Sequence, residues 1–119
     1  MAYPKRELMA NPEAVFQRHW DAVQSGDFDA IAADYAADAR LMQPNQVHIG
    51  HAGCRAFFDA LFADLAGFAA RQESVTVNGD AVLLTWSGTH EDGRTAQGVD
   101  TFVISDDLIH VQTLVYEIR

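Results

Sequence analysis

Apolar residues recur every three or four positions in three segments of the first half of the chain, and alternate with polar ones in the second half. Phe16, His19, Trp20 and Val23 share one stripe of a helix that Asn11 can cap and Pro12 can open, because proline at the first helical position lacks an N–H that would have no partner there anyway. Ser25-Gly26-Asp27 closes that helix: Gly26 suits the left-handed position after its last turn, and Asp27 can cap a second helix with the stripe Phe28, Ile31, Ala32 and Tyr35. Arg40 to Gln43 predicts a short strand stopped by Pro44, with a loop from there to Gly50. Beyond Gly53, Cys54, Phe57, Phe58, Leu61, Phe62 and Leu65 repeat at helical spacing, and Gly67 helps to end that third helix.

From about residue 70 β-branched and aromatic residues dominate, and turn signals stand at Asn78-Gly79-Asp80, Glu91-Asp92-Gly93 and Ser105-Asp106-Asp107. These spacings predict four antiparallel strands at about 70–77, 81–90, 95–105 and 108–118. Helices first and hairpin-linked strands after them predict an α+β structure, with the helices gathered on one face of a strongly curved antiparallel sheet. If Asp100, Phe102 and Ile104 point to the helices, then Val99, Thr101 and Val103 point away, and Val111, Thr113 and Val115 continue that outer surface. Such a convex face is either a sheet surface with scattered valines or, as an apolar patch of that size suggests, the interface of a homodimer. Residues 1–10 show no periodicity and are expected to be a leader, poorly ordered, before a single domain over 11–119.

Composition narrows the function. The chain has 119 residues, 49% hydrophobic and 21% charged, which is one globular domain able to bury roughly two thirds of its unfolded surface. A formal charge of −9 repels polyphosphates and argues against nucleic acid as a partner. The longest apolar stretch, Ala60 to Ala70, is interrupted by Asp64 and is far short of the ~20 residues that cross a bilayer, so no membrane partner is expected. No apolar core of a secretory signal follows the first basic residues, and Cys54 is the single cysteine; a cytoplasmic location is expected. His48-x-x-His51 lies in a loop without a third or fourth ligand, so no metal site is expected. No glycine-rich phosphate loop or nucleophile elbow is present, and no cofactor is expected.

Four local marks carry a resemblance. They are Ser25-Gly26-Asp27-Phe28-Asp29-Ala30-Ile31, Tyr35-Ala-Ala-Asp38-Ala-Arg40, Gly50 before the third helix, and Asp100-Thr-Phe102 in the sheet. In this order the chain resembles the nuclear transport factor 2-like superfamily, in particular its SnoaL-like and ketosteroid-isomerase-like branches. The resemblance implies a cone-shaped sheet of the cystatin-like roll type, with three helices closing its concave face over a deep, mostly apolar pocket. The steroid-isomerase pattern places a tyrosine donor on the first helix, an aspartate base at the end of the first strand and an aspartic acid in the sheet. Here His19 stands at the first position, Gln43 at the second, and Asp100 matches the third. Gln43 cannot take a proton at neutral pH, which argues against steroid isomerisation by that route.

Asp100 lies among β-formers on the same side as Phe102 and Ile104. Desolvation there disfavours the carboxylate, which yields either a neutral acid that donates to an oxyanion or a base poised nearer pH 7; alternatively Asp100 pairs with an arginine or His19 and only holds the wall together. His19 is either a satisfied core histidine or the partner of Asp100 in an acid/base dyad. His90 closes the second long strand, where SnoaL-like cyclases resemble it in setting a histidine near the sheet aspartate; a one-residue register slip would turn it and Trp86 outward. Gln43 and Tyr35 could orient a substrate, and Gln112 and Tyr116 sit on the Leu114 face of the last strand. Phe16, Trp20, Phe58, Phe62, Trp86 and Phe102 supply aromatic surface for core or cavity and suit a flat apolar ligand. The leading expectation is a dimeric, cofactor-independent pocket protein that moves a proton, by isomerisation, cyclisation or hydration, on a small hydrophobic carbonyl compound. The alternatives are a noncatalytic ligand-binding protein and a dimeric adaptor whose cone is filled by its own side chains.

Overall fold

In the computed structural model, which describes residues 11–119, helix α1 spans Pro12–Ser25. The Asn11 side chain accepts a hydrogen bond from the Ala14 N–H at 3.2 Å, and Gly26, with φ of 73°, ends the helix by donating to the Val23 carbonyl. Helix α2, Phe28–Ala32, is a single turn capped by Asp27. Strand β1 follows at Tyr35–Gln43, then β2 at Gln46–Ile49, helix α3 at Gly50–Asp64, and strands β3 at Ala69–Asn78, β4 at Ala81–Thr89, β5 at Thr95–Ser105 and β6 at Leu108–Ile118. The leader expected over residues 1–10 lies outside the described residues.

The four strands of the second half stand within a residue of their expected bounds, and the first half needs three corrections. Tyr35 does not extend the stripe of α2; it opens β1, because Tyr35 pairs with Ile109 and the Asp34 carbonyl accepts the Ile109 N–H at 2.8 Å, and this ladder outweighs one further helical turn. The strand expected at Arg40 to Gln43 therefore starts five residues earlier. The expected loop holds β2, since Pro44 and Asn45 form a two-residue hairpin connection in which Asn45 takes φ of 64° and Gln43 pairs with Gln46. Finally, the sheet is mixed rather than purely antiparallel: its order is β2-β1-β6-β5-β4-β3, and β1 runs parallel to β6.

The six strands curl without closing, and the helices cover one face in an α+β arrangement. Three irregularities accompany the curl, at Glu73 in β3, at His110 in β6 and between Tyr35 and Arg40 in β1. The second also sets the face of the last strand: it lets Ile109 and Gln112, three apart, both point inward. Phe16, Ile31, Phe57, Phe58, Val82 and Phe102 form the heart of the core. On the opposite face Leu83, Val99 and Val115 are 43%, 46% and 59% exposed, and Val99 is directly paired with Val115. Among the described residues no helix is long and apolar enough to cross a membrane.

Candidate functional site

Between α1, α3 and the concave faces of β4, β5 and β6 lies a cavity of about 210 Å³. Phe16, Trp20 and Val23 of α1, Phe58, Leu61 and Phe62 of α3, and Leu84, Trp86, Phe102 and Leu114 of the sheet give it apolar walls, with Leu65 and Phe68 beside them. An apolar cavity of about 150 Å³ holds benzene, so this one has room for a substituted ring or a small bicyclic molecule. Its polar lining is His19, Gln24, Asp100 and Gln112.

Asp100 is 5% exposed, and both of its oxygens are engaged. Trp86 Nε1–H donates to Oδ1 at 2.8 Å, and Gln112 Nε2–H donates to Oδ2 at 2.8 Å. Burial pushes the carboxyl pKa up to about 6; the hydrogen bonds from Gln112 and Trp86 oppose that rise without cancelling it. The sheet register makes the Trp86 contact possible. Trp86 pairs with Gly98, and Asp100 pairs with Leu84, so the indole reaches Asp100 diagonally across a residue that has no side chain. A Cβ on Gly98 would stand 2.4 Å from Cε2 and Cζ2 of the indole, closer than atoms can pack.

His19, packed edge-on against Tyr35, Phe58 and Phe102, is buried and stays neutral, because burial followed by the charge of Arg18 lowers its pKa to about 3. Its Nε2 lies 3.4 Å from the Tyr35 hydroxyl, and that hydroxyl donates to Gln112 Oε1. Burial raises the Tyr35 pKa well above its ordinary value, so it remains a phenol. A continuous polar line thus runs from Trp86 through Asp100, Gln112 and Tyr35 to His19. Beyond it stands Asp34, 3% exposed, whose Oδ1 accepts from Arg18 Nε at 2.6 Å and whose Oδ2 lies 4.0 Å from His19 Nδ1. Among the described residues neither His19 Nδ1 nor Asp34 Oδ2 has a hydrogen-bond partner.

Of the residues expected to form the site, Phe16, His19, Trp20, Phe58, Phe62, Trp86, Asp100, Phe102 and Gln112 line the one cavity. Four do not. Gln43 sits at the β1–β2 hairpin, where its strand has run past the cavity. Tyr35 stands behind Gln112 rather than in the cavity wall. His90 lies beyond the end of β4, with its ring 5.2 Å from that of Phe68 and its Nδ1 accepting from the Asp92 N–H at 3.1 Å. Trp86 does face inward, so the register is the expected one; it is the end of the strand that takes His90 away. Tyr116 lies outside the cavity wall and donates its hydroxyl to Asp64 at 2.5 Å. Asp34 was not singled out by the sequence, since a helix extended to Tyr35 places it off the apolar stripe.

Among the described residues no three His, Cys, Asp or Glu side chains converge as metal ligands. His48 packs on Phe57 at 5.8 Å, and His51 Nε2 lies 3.0 Å from the Tyr35 carbonyl.

Solved structures share this architecture at low identity. A candidate polyketide cyclase from Sinorhizobium meliloti superposes with a TM-score of 0.75 at 22% identity, over 86% of this chain and 94% of that one. A candidate ketosteroid isomerase from Kribbella flavida gives 0.76 at 18%, over 89% and 77%. An NTF2-like protein of unknown function from Burkholderia xenovorans gives 0.74 at 23%, over 96% and 87%. At these identities the likeness establishes the NTF2-like fold. No curated protein matches the chain. The sequence model of the SnoaL-like domain matches residues 16–111, nearly the whole folded unit, and the chain therefore belongs to the SnoaL-like family.

Proposed function

We propose that the protein catalyses cofactor-independent proton transfer, an isomerisation, cyclisation or hydration, on a small hydrophobic carbonyl compound, with Asp100 as the acid/base group. The observation that carries this reading is a carboxyl held by two hydrogen bonds in an apolar cavity, with its pKa near 6. A group so placed is partly ionised around neutral pH, can take a proton from carbon beside a carbonyl, and can return it. His19 and Gln112 present polar edges to the substrate, and the aromatic walls supply binding energy. The cavity volume favours one- or two-ring substrates. The exposed apolar face around Leu83, Val99 and Val115 is proposed as the interface of a homodimer, working in the cytoplasm.

The test is exchange of α-hydrogens in D2O, followed by NMR, for a panel of small cyclic and aromatic ketones. The native protein is expected to accelerate exchange of at least one member, and Asp100→Asn to lower that rate by roughly a hundredfold or more while remaining folded. Unchanged exchange in the folded variant discards the mechanism. A second reading, ligand binding without turnover, draws on one observation: both Asp100 oxygens already have partners inside the protein. It predicts that a ketone raises the melting temperature while its α-hydrogens do not exchange.

A further inference from the structure

From the donors and acceptors along the polar line, we infer that the protonation state of Asp100 sets the tautomer of His19, that Gln112 and Tyr35 are the positioning residues that transmit it, and that Asp34 is the acceptor at the far end. The inference deepens the reading of Asp100 as the group that changes protonation; it does not depend on turnover.

The argument is one of hydrogen-bond direction. The Trp86 indole can only donate, so Asp100 Oδ1 must be an acceptor in either state. When Asp100 is ionised, Oδ2 accepts from Gln112 Nε2–H, Gln112 Oε1 accepts from the Tyr35 hydroxyl, and the Tyr35 oxygen is left to accept from His19. His19 must then carry its single proton on Nε2. Its Nδ1 is bare and faces Asp34 Oδ2 across 4.0 Å with no hydrogen bond, which accounts for both orphaned atoms.

A proton taken up on Oδ2, away from the oxygen that accepts from Trp86, is the one the line can match, because the Gln112 amide can turn its oxygen toward it. Oδ2 now donates, so Gln112 must present its oxygen and the amide turns over. Gln112 Nε2–H then donates to the Tyr35 oxygen, the Tyr35 hydroxyl swings to His19 Nε2, and His19 must carry its proton on Nδ1, pointing at Asp34 Oδ2. One proton has been added, at Asp100; His19 and Tyr35 hold the same number as before. Asp34, left with one unpaired oxygen in the ionised state, is satisfied only in the protonated one.

The titratable and charged groups that face this line are Arg18 and His19 from α1, Asp34 and Tyr35 at the start of β1, Cys54 from α3, Asp100 from β5, and Asp107 from the β5–β6 turn, which bears on Arg18. Between about pH 4.5 and 8, His19 stays neutral with a pKa near 3, Cys54 stays a thiol with its pKa pushed up to about 12, and Tyr35 stays a phenol. Arg18 opposes the cost of burying the Asp34 carboxylate throughout.

The test reads the imidazole 13C and 15N shifts of His19, which distinguish the two tautomers, together with the 13C shift of the Asp100 carboxyl. In the native protein His19 is expected to carry its proton on Nε2 at about pH 8 and on Nδ1 at about pH 4.5, with the same midpoint as Asp100. Asp100→Asn keeps an oxygen toward Trp86 and turns its NH2 toward Gln112, so it imposes the protonated pattern and holds His19 in the Nδ1–H form at both pH values. The same tautomer in native protein and Asp100→Asn at about pH 8 overturns the inference, whether or not Asp100 titrates in the window. Tyr35→Phe is expected to leave His19 insensitive to pH while Asp100 still titrates; persistence of the switch overturns the role of Tyr35, and Gln112→Met tests the same link where the first variant fails to fold. A tautomer switch without ketone exchange removes the catalytic reading alone, and exchange without a switch removes this inference alone.

Discussion

Replacing Asp100 by Asn should stabilise the fold at neutral pH and lose that effect in acid. Burial lifts the Asp100 pKa from its ordinary 3.8 to about 6, so the native state holds this proton more tightly than the unfolded chain does. The stabilisation that protonation provides is complete below pH 3.8 and is lost as the pH rises through about 6. Taking the gap between those values at roughly 1.4 kcal/mol per pH unit, the ionised carboxylate costs the native protein about 3 kcal/mol near pH 7.5. Asn is uncharged, keeps an acceptor for the Trp86 indole and offers Gln112 a donor in place of the acid proton. Urea unfolding followed by circular dichroism, at one fixed protein concentration, should therefore find Asp100→Asn more stable by about 3 kcal/mol near pH 7.5 and by less than about 1 kcal/mol near pH 4. The other acidic residues titrate alike in both proteins, so the difference isolates Asp100. A difference that does not change with pH, or a variant less stable than the native protein near pH 7.5, would refute the reasoning.

Three further outcomes follow from particular contacts. Gly98→Ala brings a Cβ to 2.4 Å from the Trp86 indole, so it should cost about 1–3 kcal/mol and, by pushing the indole off Asp100, raise the carboxyl pKa further above its ordinary value; a carboxyl 13C titration at the native midpoint would sink this account. Arg18→Ala leaves the buried Asp34 carboxylate without the cation 2.6 Å away and should cost about 1–3 kcal/mol at neutral pH, toward the lower end because Arg18 is half exposed, with a smaller loss in acid as Asp34 becomes protonated; denaturant titration at two pH values reads both. Val115→Asp puts a charge at the centre of the exposed apolar face and should shift the protein from dimer to monomer in analytical ultracentrifugation, whereas a native protein that sediments as a monomer excludes the interface.

The strands and the cavity walls were legible in the sequence because their pattern is local. Turn residues fix the hairpins of β3 to β6, and parity then sends Trp86, Asp100, Phe102 and Gln112 to one face. What was not legible depends on pairing across distance. Tyr35 fits a helical stripe as well as a strand, and only Ile109, far along the chain, decides between them. Gln43 was placed in the site by analogy with a family position, yet the Pro44-Asn45 hairpin carries it beyond the cavity. His90 has the right parity and the wrong depth, because β4 ends one residue before it. Asp34 carries no signal of its own: its significance comes from Arg18 on one side and His19 on the other, which α1 supplies.

The titrations around the cavity limit the chemistry that the proposed function can include. Among the described residues two titratable side chains line it, His19 and Asp100, and of these His19 is neutral down to a pKa near 3. Near neutral pH a single group can both accept and release a proton. A reaction that needs an acid and a base at once on opposite faces of the substrate finds only one of them here. A reaction in which one carboxylate removes a proton from carbon and the resulting carboxylic acid returns it at a neighbouring position needs nothing more, provided that the developing oxyanion meets a hydrogen-bond donor. The Gln112 amide, which lines the cavity, is the donor nearest to hand, and one of its two N–H groups is turned toward Asp100 Oδ2 at 2.8 Å. With one N–H on Asp100, the second N–H of that amide is the one an oxyanion can draw on while the carboxylate is ionised. One carboxyl and one amide donor favour a one-carboxylate isomerisation over hydration, where a water would also have to be activated.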